Sequence, residues 1–352
     1  MGAPEAAGGR ARRLRAAVVG LGIGRHHVDA YAAHPGVELV AVCDGDAARR
    51  EAFVQRLPGV RGYGELAALL RDEAPDVVSV CTPDWLHAEM GIAALRAGAH
   101  VICTKPLTTS IAEARRLVEA ADEAGRFLVG AHERRFHPPY QAIKRLVDEG
   151  RLGRLFYAEV DYYSHKKRQF DRTPWYKSAE HPREAILGTG AHAVDLLRWL
   201  VGDVEEVWGA GNHLAYAEFP GDDCQIGVFK LAGGAIGKVT QTYASVRGAG
   251  EPELHVLLHG TRGSIENDRL LTADAADGAP PEAIAGRRPW EVLPVVEQIQ
   301  SSFRTQVEYF VDCLLDGRQP QPDGRDAART VAACLAVVEA ARTGRAVRPA
   351  AF

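Results

Sequence analysis

Three groups of residues in this chain have types and spacings that can do chemistry. The first is Gly20, Gly22 and Gly24 with Asp44. Gly20 permits a sharp turn, and Gly22 leaves the backbone bare for a pyrophosphate, with Ile23 and Gly24 completing the turn. A helix starting just beyond presents unpaired N–H groups and the positive end of its dipole to phosphate. Asp44 stands twenty residues past Gly24, where a carboxylate meets an adenosine ribose. The spacing is G-x-G-x-G, with Arg25 at the position of a third glycine in G-x-G-x-x-G, and a bare packing turn is the competing reading. The second group is Lys105 with Pro106, which fixes the backbone beside it. An ammonium there donates to a substrate oxygen and favours alkoxide character; a solvated turn lysine is the alternative. The third is His192 at the start of a helix, with Asp195 and Trp199 at i+3 and i+7. A helix N-terminus lowers a histidine's pKa and keeps the ring neutral, able to accept a proton. A core-filling histidine is the alternative.

These residues need a frame. Apolar runs at Ala16–Val19 and Val37–Cys43, then Asp76–Cys81, His100–Cys103 and Arg126–Gly130, read as strands. Between them, Ala47–Leu57, Gly64–Asp72, Glu89–Ala97 and Ser110–Ala124 read as helices. The alternation demands a doubly wound parallel sheet of the Rossmann type, with helices on both faces. Ligands of such sheets sit outside the carboxyl ends of the strands, so Thr82, Pro83 and His87 of CTPDWLH, and Lys105 itself, fall at a binding edge. After Ala131 the pattern changes. A helix at Pro138–Asp148 precedes strands at Arg154–Ser164, Val204–Leu214, Gln225–Leu231, Ala235–Ser245, Leu254–Gly260 and Ser264–Asn267, interrupted by a helix at Ala191–Leu200. This is a mostly antiparallel α+β domain. Thr272–Trp290 reads as a surface loop, and Ser302–Leu315 and Arg325–Thr343 as closing helices. The expected organisation is a disordered arm over 1–15, a nucleotide domain over 16–131 and a second domain over 132–352, whose closing helices are free to pack back on the first.

Composition narrows the classes. The 352 residues are 46% hydrophobic and 25% charged, with a net charge of −4, which argues against a nucleic-acid partner. No apolar run reaches the roughly 20 residues that span a bilayer. The six cysteines are scattered without a C-x-x-C pair, so buried free thiols in a reducing cytoplasm are expected, with no metal site. Arg12-Arg13 lacks the apolar core of an export signal.

In AAVVGLGIGRHH, CTPDWLH, VICTKPL, GTGAHAVDLLRWLVGD and HGTRGSIEND the chain resembles the Gfo/Idh/MocA oxidoreductases. The resemblance implies an N-terminal Rossmann domain and a C-terminal domain on a large, open, mostly antiparallel sheet. That sheet would serve as the interface of a homodimer or homotetramer. It also implies hydride transfer between NAD(P) and a secondary hydroxyl or ketone of a sugar, cyclitol or related polyol, with Lys105 and His192 handling the proton. Asp44 favours NAD; Arg49 and Arg50 nearby leave NADP open. Two departures stand out. Thr104 replaces the family's Glu before the lysine, which leaves Lys105 easier to deprotonate. Gly188 replaces the Asp that many relatives carry four residues before the histidine. Either Lys105 and His192 act alone or another group substitutes, the candidates being Asp195, Tyr163, His165 and Tyr243, each of which reads equally well as packing or surface polarity. Arg134 or Arg135 can line the cleft or form exposed ion pairs, and Trp175 and Tyr176 suit a sugar ring or a lid. Lys166-Lys167-Arg168 would suit an anionic substrate, though a solvated loop face is the default. Two other functions stay open: a glycosidase or lyase that uses bound NAD for transient oxidation, and a non-catalytic cofactor sensor.

Overall fold

In the computed structural model, which describes residues 13–248, 253–274, 282, 286–293 and 302–352, two sheets face each other across a cleft. Among these residues the first sheet has six parallel strands in the order β3-β2-β1-β4-β5-β6. They are β1 (Leu14–Val19), β2 (Val37–Cys43), β3 (Arg61–Tyr63), β4 (Val77–Val80), β5 (His100–Thr104) and β6 (Leu128–Ala131). The helices between them are α1 (Arg25–Ala33), α2 (Ala47–Arg56), α3 (Leu66–Glu73), α4 (His87–Arg96) and α5 (Ile111–Ala124). Strand side chains alternate between two cores: Ala17, Val19, Val78 and Val80 enter one, Ala16, Val18 and Val77 the other. Both faces are therefore covered, as a doubly wound sheet requires. Ser110 caps α5 by accepting from the Glu113 N–H, and Gly125 ends it in the left-handed conformation at φ 58°. Strand β3 was not foreseen; its three residues sit on an exposed edge and are too few to show a period. Of the arm expected over 1–15, Leu14 and Arg15 belong to β1, and residues up to 12 lie outside the described ones.

The second sheet has the order β14-β13-β12-β11-β7-β10-β9-β8. Its strands are β7 (Leu155–Tyr163), β8 (Val204–Asn212), β9 (Cys224–Leu231), β10 (Ile236–Thr242), β11 (Glu253–Gly260), β12 (Gly263–Glu266), β13 (Arg269–Thr272) and β14 (Glu291–Val292). Neighbours run antiparallel except β7 and β10, which are parallel. The short β13 and β14 were not foreseen, and most of the loop expected over Thr272–Trp290 lies outside the described residues. The helices of this half are α6 (Pro138–Asp148), α7 (Lys167–Arg172), α8 (Ala185–Gly188), α9 (Ala191–Val201), α10 (Ser302–Leu315) and α11 (Gly324–Thr343). Helices α9 and α11 cover one face of the sheet. Trp208 and Val228, partners across β8 and β9, stand exposed on the other.

Both closing helices return to the first sheet. Phe303 of α10 stacks on His26 of α1 at 4.7 Å. Helix α11 lies so close to β6 that a Cβ added at Gly130 would sit 2.4 Å from the Ala327 methyl. All six cysteines are free, and only Cys224 is not fully buried.

Candidate active site

A cleft of about 930 Å³ runs from the glycine turn to α9. At its nucleotide end the three glycines have three different jobs. Gly20 has φ +85°, and a Cβ there would lie 2.5 Å from the Cys81 carbonyl oxygen. Gly24 does not line the cleft; a Cβ on it would lie 2.1 Å from the Gly20 oxygen, so it allows helix and turn to touch. Above Gly22 a Cβ would meet nothing within 4 Å. That bare approach, beside Ile23 and the start of α1, which has no side-chain cap, fits a pyrophosphate. The Asp44 carboxylate accepts from the Leu21 N–H at 2.8 Å and the Asp46 N–H at 2.9 Å, with Arg49 Nη1 at 3.0 Å. Those bonds fix the orientation of the carboxylate at the cleft. Arg50 turns away and donates to the Asp44 carbonyl at 2.7 Å. Thr82 and Pro83 line the cleft as expected. His87 does more than line it: Nδ1 lies 2.8 Å from the Pro106 oxygen and Nε2 2.9 Å from the Thr82 oxygen. The ring ties the turn after β4 to the turn after β5, and so sets where Lys105 stands.

At the other end, Lys105 is half-buried and donates from Nζ to the Gly188 carbonyl at 3.1 Å. Burial pulls its pKa down to about 8, with the Glu133 carboxylate opposing that pull. His192, second residue of α9, is buried and stacks on Tyr162 with ring centroids 5.8 Å apart. Its pKa falls well below the usual value, first through burial and then through the cations of Lys105 and Arg134. A pKa this low favours the neutral ring expected above, with burial and neighbouring cations as its causes. Glu133, in the turn after β6, places Oε1 3.6 Å from His192 Nε2. Burial raises its pKa, while Arg134 and Lys105 lower it. With its amide turned so that the oxygen faces them, Gln306 of α10 accepts from the His132 and Glu133 N–H groups at 2.9 and 3.1 Å, which holds that turn against the cleft.

The remaining candidates divide. At Gly188 a Cβ would lie 2.2 Å from the Tyr243 hydroxyl, so Tyr243 fills the space a side chain would need there. Tyr243 is fully buried beneath the site and does not line the cleft. Asp195 does not line it either: it is wholly buried and receives Arg135 Nε at 2.9 Å and Nη2 at 2.6 Å. Arg135 is thus neither a cleft residue nor an exposed ion pair. Tyr163 lies on the opposite face of β7, donating to Asp161 at 3.0 Å, and its neighbour Tyr162 is the one in the cleft. The period of two along a strand makes that choice all-or-none. His165 is exposed and outside the cleft. Arg134 stands behind Glu133 at 3.5 Å. Trp175 and Tyr176 line the cleft, with the Arg183 guanidinium 4.8 and 4.5 Å from their ring centroids. The basic run splits: Lys167 pairs in solvent with Asp171 and Glu218, Arg168 is exposed, and Lys166 is buried in the cleft wall. Sequence reasoning missed Glu133, Tyr162 and the buried Arg183–Asp84 pair at 2.7 Å. Only Glu133 left a signal, as a carboxylate directly after a parallel strand.

A bare glycine turn on one sheet, sharing a cleft with a lysine, a histidine and a buried acid, is the arrangement of a nicotinamide-type oxidoreductase. The chain belongs to the Gfo/Idh/MocA family. Residues 14–132 match the family described as oxidoreductase family, NAD-binding Rossmann fold, and 140–266 match the GFO/IDH/MocA C-terminal domain. The chain is 31% identical over 347 residues to a D-apiose dehydrogenase of Paraburkholderia graminis, covering 96% of this chain and 90% of that one. It is 34% identical over 199 residues to inositol 2-dehydrogenase 2 of Saccharopolyspora erythraea, 56% of each. Among solved structures, an Agrobacterium radiobacter oxidoreductase in complex with NAD+, L-tartaric acid and magnesium superposes with a TM-score of 0.81 at 25% identity, over 96% of this chain and 98% of the other.

Proposed function

We infer that this chain is an NAD-dependent dehydrogenase or ketoreductase acting on a secondary hydroxyl or ketone of a sugar, cyclitol or related polyol. The observation that carries the reading is the meeting of Lys105, His192 and Glu133 at one end of a cleft whose other end is the glycine turn. Gly20, Gly22, Ile23, Asp44, Thr82 and Pro83 would hold the cofactor. Asp44 is committed to a 2′-hydroxyl and would repel a 2′-phosphate, and Arg49 is offset by both Asp44 and Asp46, which favours NAD over NADP. The nicotinamide supplies the hydride acceptor in one direction and the donor in the other. The chain's own part is the proton. In oxidation, Lys105 Nζ as a neutral amine takes the proton of the reacting hydroxyl; in reduction, the ammonium returns it to the carbonyl oxygen. His192 Nε2, neutral and beside Glu133, is a second proton holder. Glu133 stands in for the carboxylate that Gly188 cannot supply. Burial of His192 and Glu133, with Lys105 half-buried beside them, limits the access of bulk water to these transfers.

Residues 14–132 and 140–266 support a division into two working domains near 131, and Trp208, Val228 and Ile236, exposed on the open sheet face, suit a homo-oligomer contact. No helix of the described residues is long and apolar enough to cross a membrane, and the free thiols suit a reducing cytoplasm.

The test is NAD+ reduction, followed by NADH absorbance, over a panel of sugars, cyclitols and sugar acids. Turnover is expected with at least one member, its rate rising with pH through about 8 as Lys105 loses its proton and falling ~10²-fold or more in Lys105→Met. Cofactor binding with no NADH released on any member would instead indicate a bound-cofactor lyase or glycosidase, or a sensor.

A further inference from the structure

Around the reacting end, buried and half-buried positive charge outnumbers negative. Among the described residues there, Lys166 and Arg183 are buried cations, Lys105 is half-buried, and Arg134 stands half-buried behind the wall, while the anionic side chains are Asp84 and Glu133, both buried. Arg183 is matched by Asp84 at 2.7 Å, and Arg134 faces Glu133 at 3.5 Å. Lys105 donates to the Gly188 carbonyl and faces the reacting oxygen. Lys166 is left over. It is only 8% exposed, lies three residues past the end of β7, and is held in place by its own N–H, which donates to the Tyr243 carbonyl at 2.8 Å. Its ammonium donates to the Gln169 side-chain oxygen at 2.8 Å. Of its three donors two have no partner among the described residues and stay open to a ligand.

A buried ammonium with no carboxylate is costly to keep. Burial and the fields of Lys105, Arg183 and Arg134, all of one sign, pull the Lys166 pKa down to about 7. A second unfilled donor belongs to the same wall. Nη1 of Arg183, a residue 5% exposed, is buried with no hydrogen-bond partner among the described residues.

We propose that Lys166, with Arg183 as the adjoining donor, binds a carboxylate of the substrate, so that the preferred substrates are sugar acids such as aldonates or uronates rather than neutral sugars or cyclitols. The inference rests on the dehydrogenase reading of the same cleft and narrows it. One unmatched ammonium balances one negative charge, whereas a phosphate ester brings close to two. The carboxylate supplies the missing counter-charge, and anchoring it fixes which hydroxyl of the chain or ring reaches Lys105.

The experiment is titration calorimetry on the protein saturated with NADH, which prevents oxidation. Glucuronate, galacturonate, gluconate and galactonate are compared with glucose, galactose, sorbitol and galactitol. At least one acid is expected to bind tenfold or more tightly than its neutral counterpart. In Lys166→Met that ratio should collapse to within about threefold, and Lys166→Arg should keep part of it. The NADH affinity of each variant, read in the same instrument, reports that the cleft is folded. Equal binding of acids and neutral compounds, no binding of any acid, or an acid preference that survives Lys166→Met overturns the proposal. Acid-selective binding without NADH formation from NAD+ on any acid or neutral compound of the panel would uphold carboxylate binding while removing the dehydrogenase reading.

Discussion

Gly188 is where a backbone carbonyl and a borrowed hydroxyl occupy the place of a side chain. Lys105 takes the carbonyl, and the Tyr243 hydroxyl takes the room. Removing that hydroxyl would leave the ring carbon 3.6 Å from a Cβ at 188, an ordinary contact. Gly188→Ala alone is therefore expected to cost about 1–3 kcal/mol through overpacking. In a Tyr243→Phe background the same change should cost less than half as much. Denaturant midpoints of the four proteins measure the coupling, and additive effects would contradict the crowding seen here. Lys105, His192 and the glycines could be picked out from their types and neighbours. Glu133 could not be ranked that way, because its value lies in meeting His192, which is 59 residues away in the chain.

At the scale of elements, His192 reaches the cleft because α9 is anchored beneath it. His132 and Glu133, adjacent in the turn after β6, meet Asp195 and His192, one helical turn apart, at 3.4 and 3.6 Å. Arg135 bridges Asp195 and Asp326, and Arg198 adds a 2.8 Å contact to Asp326, so the turn, α9 and α11 share one buried ionic knot. Burial would raise the Asp195 pKa, but Arg135 and His132 hold it below the usual range; for Asp326, Arg135 and Arg198 overcome burial and bring it to about 2. Folded values lower than unfolded ones mean that this stabilisation is present above roughly pH 4 and is lost as pH falls towards 2. Asp195→Asn is expected to cost about 3 kcal/mol at neutral pH, because it leaves the buried Arg135 with Asp326 as its one remaining carboxylate. Its stability should also fall less steeply than the parent's between pH 4 and 2. A variant with wild-type stability but lost activity would mean that Asp195 works on the substrate rather than on α9.

Over the whole molecule, α11 is the joint. One side of it packs on β8, where a Cβ at Gly209 would lie 2.5 Å from the Val337 carbonyl, and the other meets β6 and α5, with Arg325 reaching Asp122 at 2.6 Å. The bridge between Val129 and Asp323 extends this contact into the backbone. Two sheets that share a helix are expected to unfold together. Calorimetry should show a single transition that moves up with NADH, by about 2.7 kcal/mol of stabilisation at a hundred times the dissociation constant. Two transitions, with only the first shifted by NADH, would mean that the halves are independent.

Much of this was legible in the chain itself. The alternation of apolar runs with helical segments dictates a doubly wound sheet, because parallel strands need crossovers. The glycine turn and Asp44 carry their chemistry in local backbone geometry. Lys105 and His192 sit at element ends that the sequence marks. Tertiary structure alone decided the rest. Whether Tyr162 or Tyr163 enters the cleft depends on which face of β7 is buried, and whether Lys166 is solvated depends on what packs over it. The partners of Asp195, Tyr243 and Arg183 come from distant segments. Local spacing governs turns and helix starts, but burial and charge pairing belong to contacts between residues far apart in the chain.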